Sequence, residues 1–105
     1  MGSVTAFNHL TLKPGVAIQD FLEFSRNLDR PTCLQFDVVE AFDVFVVAAA
    51  GGAGPHVIER MQVRDWDAWV AARDSAPEIE PVVEGFRRLV DEDSVVTYLT
   101  HEDEV

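Results

Sequence analysis

The sequence predicts one α+β domain in which strands and helices follow the order β-α-β-β-α-β. Three observations carry this. The chain has 105 residues, enough for one domain with a real core. Its apolar residues switch between strand-type and helix-type spacing in that order. Turn signals, chiefly Lys13-Pro14-Gly15 and Gly51-Gly52-Ala53-Gly54-Pro55, fall between the periodic segments.

Val4 to Leu12 reads as the first strand. Val4, Ala6, Asn8, Leu10 and Leu12 share one face, and Thr5, Phe7, His9 and Thr11 the other. Each face mixes apolar and polar groups, which suits a strand buried on both sides with one side against a polar cavity. Val16 to about Leu28 reads as a helix, with Ile18, Phe21, Leu22 and Leu28 on its apolar stripe and Ser25 among them. Asp29-Arg30-Pro31-Thr32 should end it, because proline disfavours helical geometry in the preceding residue. Cys33 to Val39 is then a short irregular link.

Ala41 to Ala50 and His56 to Val63 read as two strands of an antiparallel hairpin. Asp65 is a candidate N-cap for the next helix, with Trp66, Trp69 and Val70 packed on the sheet. Ser75-Ala76-Pro77-Glu78 has the form of a capping box. Pro81 argues for a break near 74–80, followed by a helix from about Pro81 to Asp91. Ser94 to Thr100 is the last strand. The domain covers 1–105, with Met1-Gly2-Ser3 readable as an appended start and Glu102 to Val105 as an acidic tail.

Composition excludes several classes. Nineteen acidic residues against eight basic ones give a formal charge of −11, and Lys13 is the sole lysine. Nucleic acid and anionic membranes need a basic footprint, so neither is an expected partner. No apolar run approaches the ~18–20 residues of a membrane span. No signal-peptide pattern opens the chain, and the single Cys33 allows no internal disulfide, so a cytoplasmic location is expected.

This element order suggests a ferredoxin-like split β-α-β unit, whose sheet carries helices on one face. The strands look apolar on both faces: Val44 and Val46 oppose Phe45 and Val47. A lone protomer would leave an apolar face in water, so a homodimer closed by sheet-to-sheet contact is expected. That open face is also the expected wall of a reaction chamber.

The candidate site residues are polar exceptions in apolar strands. Glu59 has Val57, Met61 and Val63 as same-face neighbours, and burial there would raise its pKa into the range of a proton shuttle. The competing reading pairs it with Arg60 or Arg64. His9, beside Phe7 and Thr11, is the second acid/base candidate. Asn8 is a candidate pocket residue, yet Asn8 and His9 must point to opposite faces. Tyr98 could donate a hydrogen bond into a lumen, and His56 and His101 could reach its mouth. Cys33 is either a pocket residue or a buried apolar side chain. Trp66 and Trp69 read first as core. No HxH or HExxH spacing occurs, so no metal is expected.

Several stretches resemble a known family. These are Leu12-Lys13-Pro14-Gly15, Leu28-Asp29-Arg30-Pro31-Thr32-Cys33 with Ala41-Phe42-Asp43-Val44, Val57-Ile58-Glu59 leading into Val63-Arg64-Asp65-Trp66-Asp67-Ala68-Trp69, and Leu99-Thr100-His101-Glu102-Asp103. Together they resemble the RedY/HapK-like proteins of prodigiosin- and bisindole-type pathways, within the dimeric α/β-barrel superfamily. The resemblance implies a dimeric barrel holding a small aromatic molecule, and work on reactive intermediates without an organic cofactor. More locally, Asn8-His9-Leu10-Thr11-Leu12 resembles the first strand of antibiotic-biosynthesis-type monooxygenases, where the asparagine faces the cavity. Haem-degrading relatives use a histidine in the second helical segment, and Asp74 to Phe86 contains none.

The expected function is therefore a cofactor-free cyclase or hydrolase of natural-product biosynthesis. It would use Glu59 and His9 as acid/base groups on an indole- or pyrrole-derived imine or enamine. Asn8, Cys33, Tyr98, His56 and His101 would contact substrate. The alternatives are a cofactor-independent monooxygenase and a non-catalytic carrier of an aromatic intermediate.

Overall fold

A computed structural model of the chain describes residues 2–49, 51–52 and 54–103. Met1, Ala50, Ala53, Glu104 and Val105 lie outside the described residues, and with them the ends of the expected second strand and acidic tail. Four strands form one antiparallel sheet: β1 (Val4–Leu10), β2 (Val39–Val46), β3 (Val57–Val63) and β4 (Val96–Thr100), in the order β2-β3-β1-β4. Helices α1 (Ile18–Phe24), α2 (Arg30–Cys33), α3 (Trp66–Ser75) and α4 (Glu80–Leu89) complete the ferredoxin-like arrangement.

Strand parity decides which residues meet the helices. Val4, Ala6, Leu10, Phe42, Val57, Met61 and Val63 are buried on that side. They belong to two apolar clusters. One gathers Val4, Ala6, Met61, Val63, Trp69 and Ile79, and the other Leu10, Phe21, Leu22, Val57 and Val90. Between the clusters runs one rung of the sheet, in which Val44 faces Glu59, Glu59 faces Asn8, and Asn8 faces Thr97. The core is thus divided by a polar line.

The first helix does not stop at Asp29. A π-type turn over Ser25–Asp29 follows α1, and the Arg30 N–H donates to the Ser25 carbonyl across the widened turn. The wide turn takes up the register change just before Pro31. Pro31 then stands in the first turn of α2, where no N–H is required. Cys33, expected in an irregular link, is the last residue of α2.

The capping-box expectation also fails. The Ser75 hydroxyl donates back to the Ala71 carbonyl at 2.7 Å, so it closes α3 instead of opening the next helix. Pro77 and Pro81 each sit at the start of a helical segment, Pro77–Ile79 and α4, as their missing N–H allows. Asp65 does cap α3, accepting from the Ala68 N–H at 3.0 Å.

The helix-free face of the sheet exposes Phe45, Val96 and Tyr98. It is less uniform than the sequence suggested, because Arg60 pairs with Asp43 at 2.9 Å and its guanidinium lies 5.5 Å from the Phe45 ring centroid.

Candidate functional site

A cavity of about 510 Å³ opens between the sheet and the helices, on the polar rung. Its apolar wall includes Phe42, Met61, Trp66, Trp69, Val82 and Phe86. Its polar side carries Asn8, Asp29, Cys33, Glu59 and Thr97, with Arg73 and Glu92 also on the lining. This volume suits a small ring system.

Glu59 is 4% exposed. Asn8 Nδ2 donates to its Oε1 at 3.3 Å, and Thr97 Oγ1 donates to Asn8 Oδ1 at 2.8 Å. The Asn8 amide thus bridges the Thr97 hydroxyl and the acid. Glu59 Oε2 is buried and has no hydrogen-bond partner among the described residues. The expected competing partners are engaged elsewhere: Arg60 binds Asp43, and Arg64 binds Asp37.

An unpartnered carboxyl in an apolar setting favours its neutral form. Burial pushes Glu59 from its ordinary 4.5 up to about 8, and the charge of Asp29 adds to the rise, against the Asn8 hydrogen bond and the Arg30 guanidinium. Glu59 therefore holds a proton near neutrality and can both give and take one there.

Asp29 is the residue that sequence reasoning missed. It was read as part of a helix exit, yet it is 5% exposed and lines the cavity. Burial raises it from 3.8 to about 6, opposed by the Cys33 hydrogen bond and by Arg30. The signal was present in the spacing. Phe21, Ser25, Asp29 and Cys33 follow one another at intervals of four and are all buried. Arg30 Nε in turn donates to Ser25 Oγ at 3.0 Å. Thr97 was also missed, although its pairing opposite Asn8 places it at the site.

Cys33 lies in the cavity wall, and its thiol donates to Asp29 Oδ1 at 3.4 Å. Burial and the Asp29 charge push the thiol well above its ordinary range. That environment suits a hydrogen-bond donor and opposes a nucleophile.

The remaining candidates are not gathered here. Asn8 faces the cavity, so His9 points to the opposite, helix-free face, where its ring meets Tyr98 edge-on at 5.3 Å. Tyr98 is 54% exposed on that face. The cavity within the single chain lies across the sheet from His9 and Tyr98. His56 Nδ1 accepts from the Leu12 N–H at 2.9 Å, a bond that ties the β3 entry to the end of the first strand. His101 is exposed beyond β4. Among the described residues, no group of three His, Cys, Asp or Glu side chains is placed to hold a metal ion. Nor is any described helix long and apolar enough to cross a membrane.

Sheet, one-sided helices and intervening cavity define a ferredoxin-like α+β protein with an internal acid-bearing pocket. A sequence profile of the REDY-like protein HapK family matches residues 4–102, and the chain belongs to that family. HapK from Hahella chejuensis has a similar structure, with 23% identity, a TM-score of 0.73, and coverage of 97% of this chain and 96% of that one. The cofactor-independent oxygenase SnoaB from Streptomyces nogalater is similar in fold at 14% identity and a TM-score of 0.76, over 100% of this chain and 97% of its own. A dimeric ferredoxin-like protein of unknown function from Thermobifida fusca matches at 7% identity and a TM-score of 0.74, over 96% and 92% of the two chains. No curated protein matches the sequence.

Proposed function

We propose that this protein is a cofactor-free biosynthetic enzyme of cyclase or hydrolase type, acting on a reactive indole- or pyrrole-derived intermediate. The observation that carries the reading is Glu59, a buried acid of the cavity lining with one oxygen held by Asn8 and the other without a partner among the described residues. With an imine, Glu59 gives its proton to nitrogen while water adds to carbon. The proton shed by that water returns to the carboxylate. Collapse of the adduct then yields a carbonyl compound and an amine. The apolar walls orient the rings and limit bulk water.

His9 and Tyr98 belong to a different task in this reading. With Phe45 and Val96 they form the seam of a homodimer, consistent with the fold neighbour from Thermobifida fusca described as dimeric. The cytoplasm suits the free thiol of Cys33.

The test is turnover of indole- and pyrrole-derived imines by the purified protein. Glu59→Gln should lower the rate by about a hundredfold or more, while His9→Ala should leave dilution-corrected turnover near wild type. Full activity in Glu59→Gln would overturn the assignment. Protein-dependent oxygen uptake would point to a monooxygenase, and tight binding without turnover to a carrier.

A further inference from the structure

We propose that the helix-face cavity is selective for a flat aromatic cation, whose positively charged N–H group lies against Glu59 Oε2. The proposal rests on the reading that this cavity is the working site, and it adds the charge class of the ligand.

Three features of the cavity carry it. Glu59 Oε2 is buried with no partner among the described residues, while Oε1 already accepts from Asn8. A cationic donor completes this site by displacing the acid's own proton, so that the carboxylate becomes its acceptor. A second carboxyl, Asp29, is buried in the same cavity, so a ligand anion would meet like charge at short range. The lining also carries Trp66, Trp69, Phe42 and Phe86, and aromatic rings attract cations as well as apolar rings. Beyond the cavity, the chain's net charge of −11 draws cations toward it and repels anions.

The arginines offset this charge only in part. Arg60 and Arg64 bind Asp43 and Asp37, and Arg30, whose guanidinium favours the charged form of both carboxyls, is tied through Nε to Ser25 Oγ. Arg73, on the lining, lies 3.6 Å from the Asp74 carboxylate. The other titratable groups of the wall are Cys33 and Glu92, whereas α4 and β2 present apolar side chains to it. With Asp29 raised to about 6 and Glu59 to about 8, the pair carries about one negative charge between these values. It is neutral below them and doubly charged above.

Three probes of one shape separate the charge classes: 4-aminoquinoline, a protonated cation near neutrality; 1-naphthylamine, its neutral counterpart; and 1-naphthoate, an anion. Binding is measured by calorimetry on the full chain at about pH 7. The cation is expected to bind at least about tenfold more tightly than the neutral amine, and naphthoate most weakly. Asp29→Asn should reduce the cation preference by about tenfold without altering naphthylamine binding, and Glu59→Gln should do the same. Equal affinities for the three probes, or naphthoate binding first, would overturn the proposal. Failure of the enzyme reading is separable. Cation preference without turnover of any imine overturns only that reading, and Glu59-dependent turnover without cation preference overturns only this one.

Discussion

Replacing Glu59 by glutamine should make the protein more stable, and by an amount that grows with pH. The carboxyl is raised from 4.5 to about 8 in the folded chain. A folded value above the unfolded one means that the protonated acid favours folding. That advantage is complete below about pH 4.5 and is lost as pH rises through about 8. Each pH unit corresponds to about 1.4 kcal/mol, so the whole displacement is of order 5 kcal/mol, and of order 3 kcal/mol is already lost at pH 7. Glutamine has nearly the same shape, keeps a carbonyl for the Asn8 amide and never ionises. The assay is urea unfolding of wild type and Glu59→Gln across this range. The stability difference should widen steadily from about pH 4.5 to about pH 8 and then level off. A difference independent of pH would refute the reasoning, because it would mean that Glu59 ionises in the folded chain as it does in water.

Three further outcomes follow from the same geometry. Asp29→Asn removes the charge that helps raise Glu59, so the Glu59 limb of a pH–rate or pH–stability profile should move toward acid. Cys33, buried and hydrogen-bonded to Asp29, should react with a thiol reagent only as fast as the chain opens, and much faster in urea, read by absorbance. Gly85→Ala should destabilise by about 1–3 kcal/mol in chemical denaturation, because an added Cβ would lie 2.4 Å from Phe24 Cε1 where α4 meets α1.

Much of the fold was legible because the signals were local. Alternation in Val4 to Leu10 and Val57 to Val63, the hairpin turn and the Asp65 cap each act over a few residues. The candidate Glu59 was also legible, since an acid between Val57 and Met61 breaks a strict apolar face. The boundary at Pro31 differs for one reason. Pro31 reads as a stop but occupies a helix start, and the difference depends on the preceding turn. Asp29 was hidden by the same misreading, because ending the helix early removed it from the stripe of Ser25 and Cys33.

Sheet parity set the other limit. Alternation shows that Asn8 and His9 face opposite ways, but only the packing of α1 to α4 determines which side is enclosed. In the folded chain the polar exceptions divide between the faces: His9 and Tyr98 lie on the helix-free side, and Glu59, Asn8 and Thr97 pair in sequence with Val44 on the helix side, between two apolar clusters.

The central claim is that Glu59 stands unpaired in the cavity wall and keeps its proton near neutrality. Carbon-13 NMR of the Glu59 side-chain carboxyl, followed through a pH titration of the folded protein, tests it most directly. The midpoint should fall at about 8, well above the ordinary 4.5. A midpoint close to 4.5 would contradict it, since the carboxylate would then be solvated or paired and the cavity would lose its acid.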